Sequence, residues 1–335
     1  MQYQNILNSI VDAVKIISPD SFSFGGKVFT STANMFYQSN TGAKATDPLV
    51  RSLTNVLYDQ CYSRKFNGNY YESMPVTKDN GMFQATLSRA NTTVERWDND
   101  WIIEQILPTG QYVAHKNGKY KLVYPGEFLT SEYQAVLPNE GTRIAIHCLK
   151  ESFSLQPAFY FAFSNELGDQ QNLFTVVRFY WNIKSSGAPI LIELLTKNLN
   201  KYSIPFSFKC LNDPALFTRS DAAVLYVGKP YYSIAIQVLA TVYLQINNEL
   251  NPEVPGFTKE LNAGLGLAED PGTGESFGMS RCGIIAQGIY NAYQSGSVTT
   301  ENIMHKIKEV FDIGGMQINK PYLNAGSNDI YEFID

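Results

Sequence analysis

Three short stretches of the chain set cationic and phenolic side chains where they can act on an anion. In residues 175–182, TVVRFYWN, a strand would send alternate side chains to one face, so Arg178 and Tyr180 point the same way. An arginine in so apolar a strand must be paired or must face a cleft; a structural ion pair with a buried carboxylate is the competing reading. Residues 206–214, FSFKCLNDP, put Lys209 between Phe208 and Cys210 in a strand that reads as central. Burial lowers a lysine's pKa because the ammonium loses hydration, and such an amine can serve as a general base. The alternative is an edge-strand lysine with its head in water. Residues 219–226, RSDAAVLY, place Arg219 just ahead of a strand and Tyr226 near its end. Asp221 can orient a cation there, while for Tyr226 taken alone a core position is the commoner reading.

A fourth stretch, residues 257–281, reads FTKELNAGLGLAEDPGTGESFGMSR. Its glycines let backbone approach a ligand closely, and the helix that follows offers free N–H groups with Arg281 in its first turn. With Lys259 and Ser276, this makes a candidate anion site suited to phosphate, against the plainer alternative of a glycine-rich surface loop. No GK[ST] follows the glycines and the third glycine of a dinucleotide fingerprint is missing, so neither nucleotide motif is present. His147 in RIAIHCL reads as a structural strand histidine, and His305 as a solvated helix residue.

Bulk properties narrow the field. At 335 residues, 44% hydrophobic and 17% charged, the chain belongs with folded globular proteins. A net charge of −5 gives no general attraction to nucleic acid or anionic lipid, so any anion site must be local. No apolar run reaches the roughly 20 residues that span a bilayer, and the start MQYQN is not the basic opening of a signal peptide. A cytoplasmic location is expected. Cys61, Cys148, Cys210 and Cys282 are far apart and read as buried free thiols; three scattered histidines give a metal site little to build on. No cofactor is expected.

The elements that must position these residues are of both kinds. Helical spacing covers residues 3–17, 47–65, 187–201, 232–250, 279–293 and 301–311, the last with Thr299 or Thr300 as N-cap. Strands are expected at 143–148, 158–163, 173–181, 206–211 and 222–227, and a hairpin around Asn117-Gly118. Residues 264–278 read as a glycine-rich loop. Without strict βαβ alternation this is an α+β fold, a mixed or antiparallel sheet flanked by helices. Residues 1–140 form a mainly helical N-terminal region with a hairpin, and 141–335 an α+β domain.

The segments VVRFYW, FKCLNDP, RSDAAVLY and FTKELNAGLGLAEDPGTGESFGMSRC resemble the HopA-type family of type III effectors. LYDQCYSRKFNG and RANTTVERWDNDW in the first third resemble members found outside pathogens. The resemblance implies the lyase subunit of class V lanthipeptide synthesis, which eliminates phosphate from phosphoserine or phosphothreonine in a precursor peptide. It also implies kinase and cyclase subunits as possible partners, and a reaction like that of the phosphothreonine lyases of enteric pathogens. On that pattern Arg178 would hold phosphate, Tyr180 would be the acid, Lys209 the base, and Arg219 and Tyr226 would support them; Lys259, Ser276 and Arg281 complete the candidate substrate set. Tyr180 stands where those lyases carry a histidine. A non-catalytic scaffold that only binds a phosphorylated partner, or a secreted effector, remains the alternative.

Overall fold

The first helix, α1 (Gln2–Ala13), buries Leu7, Ile10 and Val11 but stops at Ala13 rather than running to residue 17. The β-branched run that follows becomes β1 (Val14–Ser18), which pairs with β2 (Ser21–Phe24), itself paired to β3 (Lys27–Thr30) through the Gly25-Gly26 turn. Strand pairing thus overrides a helical spacing that was real only as far as Ala13. The computed structural model describes residues 2–31, 47–72, 81–130, 137–169 and 175–333.

Asp47 caps α2 (Pro48–Leu57) by accepting from the Leu49 N–H, and a proline at the first helical position completes the start. The helix then widens into a π-turn over Tyr58–Tyr62. After α3 (Gly81–Ala90) the chain enters β4 (Arg96–Ile106), β5 (Tyr112–Lys116), β6 (Lys119–Val123), β7 (Phe128–Thr130) and β8 (Arg143–Cys148). Asn117 and Gly118, with φ of 50° and 75°, make the expected tight turn between β5 and β6. These strands form an antiparallel sheet in the order β6-β5-β4-β8-β7 around Trp101, Ile103 and Ile144. The expectation of a mainly helical N-terminal region therefore holds only in part: α1, α2 and α3 are there, but alternating polar and apolar residues beyond them are used as strands.

The larger sheet comprises β9 (Glu151–Ser152), β10 (Phe159–Phe163), β11 (Val176–Trp181), β12 (Phe206–Leu211), β13 (Ala223–Gly228), β14 (Lys259–Asn262) and β15 (Leu265–Glu269). Residues 173 and 174 of the strand expected at 173–181 lie outside the described residues. The order is β14-β15-β11-β13-β12-β10-β9, antiparallel at every pairing. Residues 265–269, expected as loop, are instead a fully buried strand between β14 and β11. Gly266 is needed there because a Cβ would come within 2.7 Å of the Thr258 hydroxyl.

One face of this sheet packs on α4 (Ala188–Lys201) and α5 (Tyr232–Ile246), with Phe179 stacked on Tyr232. Against the other face lie the π-turn and the start of α6 (Phe277–Gln294), where Tyr62 and Phe277 meet Tyr180. Helix α7 (Thr300–Ile313), capped by Thr299, packs on α6 and α1. Strand β8 draws residues beyond 140 into the smaller sheet, and α1 and α2 share one core with α6 and α7. All four cysteines are buried and unpaired.

Helices α6 and α7 approach closely because Gly288 faces Ile307; a Cβ at 288 would lie 2.5 Å from the Ile307 Cα. Gly288→Ala should therefore force the helices apart and destabilise the fold by about 1–3 kcal/mol, read as a lower melting temperature. An unchanged melting temperature would show that this contact yields without strain.

Candidate active site

In antiparallel pairs, residues opposite one another share a face. Lys209 lies opposite Val224, and Val224 opposite Tyr180; Tyr226 lies opposite Arg178. Lys209, Tyr180, Arg178 and Tyr226 therefore occupy two adjacent rows on the same face of the large sheet. The strand pattern alone carries this juxtaposition, and side-chain contacts agree with it. The Tyr226 ring has the Arg178 guanidinium 5.3 Å from its centroid and the Lys209 ammonium 5.9 Å away.

Lys209 sits in an interior strand, between β13 and β10. Its Nζ lies 4.4 Å from the centroid of Phe159 and donates to Gln156 Oε1 at 3.0 Å. Among the described residues it has no carboxylate within 4.0 Å. Burial lowers its pKa to about 8; Asp221 opposes that shift, and Arg178 and Arg219 reinforce it.

Arg178 donates from Nε to Asp270 Oδ2 at 2.7 Å and from Nη2 to the Glu275 carbonyl at 3.0 Å. Arg219 forms a two-pronged pair with Asp221, both bonds 2.8 Å, and a third bond to the Tyr58 hydroxyl at 2.9 Å. Tyr58 in turn donates to Asp221, which is itself buried. Tyr180 is fully covered, and its hydroxyl lies near Arg178 and Tyr62 without a well-formed hydrogen bond to either. Burial raises the pKa of both Tyr180 and Tyr226, which keeps the two phenols protonated.

Three of the expected ligands do other work. Lys259 lies opposite Leu267, and Leu267 opposite Phe179, so Lys259 projects on the far face of the sheet. There it pairs with Asp329 at 2.8 Å. Ser276 caps α6, its Oγ accepting from the Met279 N–H at 3.1 Å. Arg281 is buried and ties down the carboxy-terminal segment, donating to the carbonyls of Pro321 at 2.6 Å and Leu323 at 3.0 Å and to Asn324 Oδ1 at 3.1 Å. Burial pulls its pKa down to about 10.

Four residues enter the site that the residue types had not marked: Tyr58, Tyr62, Asp270 and Gln156. The first two come from the π-turn in LYDQCYSRKFNG, a segment that bore a family likeness but no assigned chemistry. The π-turn is held to the sheet end by Ser220, whose N–H donates to the Ser63 carbonyl at 2.7 Å, and by Gly256, whose N–H donates to the Tyr62 carbonyl at 2.8 Å. Beside this site a cleft of about 790 Å³ separates the two sheets, with Tyr226, Ser207 and Asp270 in its wall. His147 stacks on Trp97 and pairs with Glu95, and His305 is an exposed helix residue beside Glu309.

If Arg281 is a structural clamp, Arg281→Lys should lose part of the guanidinium fork and destabilise the protein by about 2–4 kcal/mol in a denaturant melt. Residues 314–333 should then become sensitive to limited proteolysis. Unchanged stability and protection would return Arg281 to the ligand set.

Similarity to known proteins agrees with the likeness of these segments. A structure of the effector protein from Pseudomonas syringae pv. tomato strain DC3000 aligns with 16% identity over 76% of this chain and 85% of that chain, at a TM-score of 0.44. The effector protein from Pseudomonas syringae pv. syringae strain 61 aligns with 13% identity over 82% of this chain and 96% of that chain, also at a TM-score of 0.44. No curated protein matches the chain significantly. The model of the HopA1 effector protein family matches residues 150–323, a span that takes in Arg178, Tyr180, Lys209, Arg219 and Tyr226 together with their partners Asp221 and Asp270. The chain belongs to the HopA1 effector protein family.

Proposed function

We propose that the chain is a phosphoserine/phosphothreonine lyase acting on a phosphorylated precursor peptide in lanthipeptide-type biosynthesis. The observation that carries this reading is Lys209: an amine with a pKa of about 8, on the same sheet face as Arg178, Tyr180 and Tyr226. In its neutral form Lys209 takes the α-proton of the phosphorylated residue. The electron pair becomes the Cα=Cβ bond, the Cβ–O bond breaks, and phosphate leaves as the product alkene forms. Arg178 and Arg219 stabilise the departing dianion, since guanidinium forks match phosphate oxygens. Tyr226, which the cleft reaches, is better placed than the covered Tyr180 to protonate the leaving group. A kinase subunit would supply the phosphorylated residue and a cyclase subunit would consume the dehydro product.

One observation favours the second reading, a scaffold that binds a phosphorylated partner without turnover. Both Arg178 and Arg219 are already bonded to carboxylates. Incubating the protein with a phosphothreonine peptide and weighing the product separates the two: loss of one phosphoric acid supports the lyase, and binding without loss supports the scaffold.

For the lyase, Lys209→Ala should lower turnover by about 10²–10⁴-fold while leaving the fold intact by circular dichroism. The wild-type rate should rise with pH through about 8, because only the deprotonated amine accepts the α-proton. A rate that falls over that interval, or survives in Lys209→Ala, removes the base assignment.

A further inference from the structure

Each side-chain hydrogen bond made by Arg178 ends on one short segment, residues 270–276. Asp270 takes the guanidinium through its carboxylate and Glu275 through its carbonyl. The two ends of that segment are fixed. The Asp270 N–H donates to the Val176 carbonyl at 2.8 Å, the Asp270 carbonyl accepts from Asn324 Nδ2 at 2.6 Å, and Ser276 caps α6. Residues 272–275 between them are exposed, and the Cβ positions of Gly272 and Gly274 meet nothing. Among the described residues, the middle of the segment is hydrogen-bonded by Arg178 to the Glu275 carbonyl and by the Gly272 N–H to Asp270 Oδ1.

The two arginine–carboxylate pairs differ in kind. Asp221 is 7% exposed at its side chain and has Tyr58 as a further partner, so its pair with Arg219 is built into the core. Asp270 is 21% exposed at its side chain and lines the cleft, so its carboxylate has somewhere to go. Beside Arg178, the buried Tyr180 hydroxyl has no well-formed hydrogen bond among the described residues. A buried donor without a well-formed bond, next to a guanidinium, can donate to an oxygen that a ligand brings there.

We infer that Asp270 is an internal competitor for phosphate: its carboxylate holds the position on Arg178 that the substrate's phosphate takes, and segment 270–276 shifts when the dianion replaces it. The phosphate brings two negative charges and three oxygens, enough to satisfy the Arg178 fork and the Tyr180 hydroxyl together. A peptide carboxylate, with one charge, has no such advantage over Asp270, so the latch also selects for phosphorylated residues. The inference rests on the phosphate-binding reading of the same site.

Isothermal titration calorimetry with inorganic phosphate tests both on the full chain. Asp270→Asn removes the competing charge and should tighten phosphate binding by about tenfold, as expected when a binding-competent state no longer has to be released. Asp270→Ser, which can still accept from the Gly272 N–H, should do the same and stands in if the asparagine variant fails to fold. Asp270→Glu keeps a carboxylate and should stay within about twofold of wild type, and Arg178→Ala should lose binding. Equal or weaker binding in Asp270→Asn and Asp270→Ser, with wild-type binding lost in Arg178→Ala, overturns the latch and leaves Asp270 as a positioning residue in a phosphate site. No binding by wild type or any variant overturns the latch and the phosphate site together.

Discussion

Burying a positive charge is expensive unless something answers it, and the large sheet buries several at once. Arg178 and Arg219 are answered by carboxylates, Asp270 and Asp221 with Tyr58, and Arg281 on α6 by carbonyls of the carboxy-terminal segment. Among the described residues neither Arg281 nor Lys209 has a carboxylate within bonding distance; Arg281 is held by several oxygen acceptors, whereas Lys209 has only Gln156 and two aromatic rings. Burial loosens the proton on both, but only the lysine is brought near neutrality, to about 8 against about 10 for Arg281. The same neighbours that raise the demand for anions at this face, Arg178 and Arg219, push the lysine toward neutrality. The proposed base and the proposed anion site would both arise from this one electrostatic arrangement, which exists because the strand register sets these residues side by side.

Much of this juxtaposition was legible in the sequence because strand geometry is simple. Alternation in VVRFYW placed Arg178 and Tyr180 on one face, and the apolar neighbours of Lys209 marked an interior strand. What single strands do not reveal is which face of one strand matches which face of another. Lys259 shows the consequence: it lies close to Arg178 in strand order, yet the register of β14 on β15 turns it to the far side. Arg281 failed for a different reason. A first-turn arginine reads as an anion ligand, but the carbonyls that claim it come from residues 321–324, forty and more positions away, and nothing local announces them.

The amino-terminal third illustrates how tertiary pairing overrides local pattern. Residues 14–18 continue the apolar spacing of α1, but β-branched side chains and a glycine turn downstream make a hairpin, and the helix ends where the hairpin begins. The strand at 265–269 was hidden by the opposite bias: glycine and alanine suggest a loop, whereas here small residues let β15 pass between β14 and β11 under Thr258. The first error follows a periodicity past the point where the residues change, and the second takes glycine's preference for structure.

The π-turn ties these levels together. An α-helix continuing past Leu57 would advance residues 58 and 62 by a regular turn; the wider turn stacks the rings of Tyr58 and Tyr62 5.0 Å apart and aims both at the sheet. Tyr58 then completes the Arg219–Asp221 pair, and Tyr62 meets Tyr180 edge-on. A segment more than a hundred residues from Arg178, Lys209 and Arg219 thus closes one side of the candidate site, while segment 270–276 closes the other. Of these two walls, only the second is held by a partly exposed carboxylate. The asymmetry follows from burial alone: the Tyr58–Asp221 wall cannot open without exposing a core, and the Asp270 wall can.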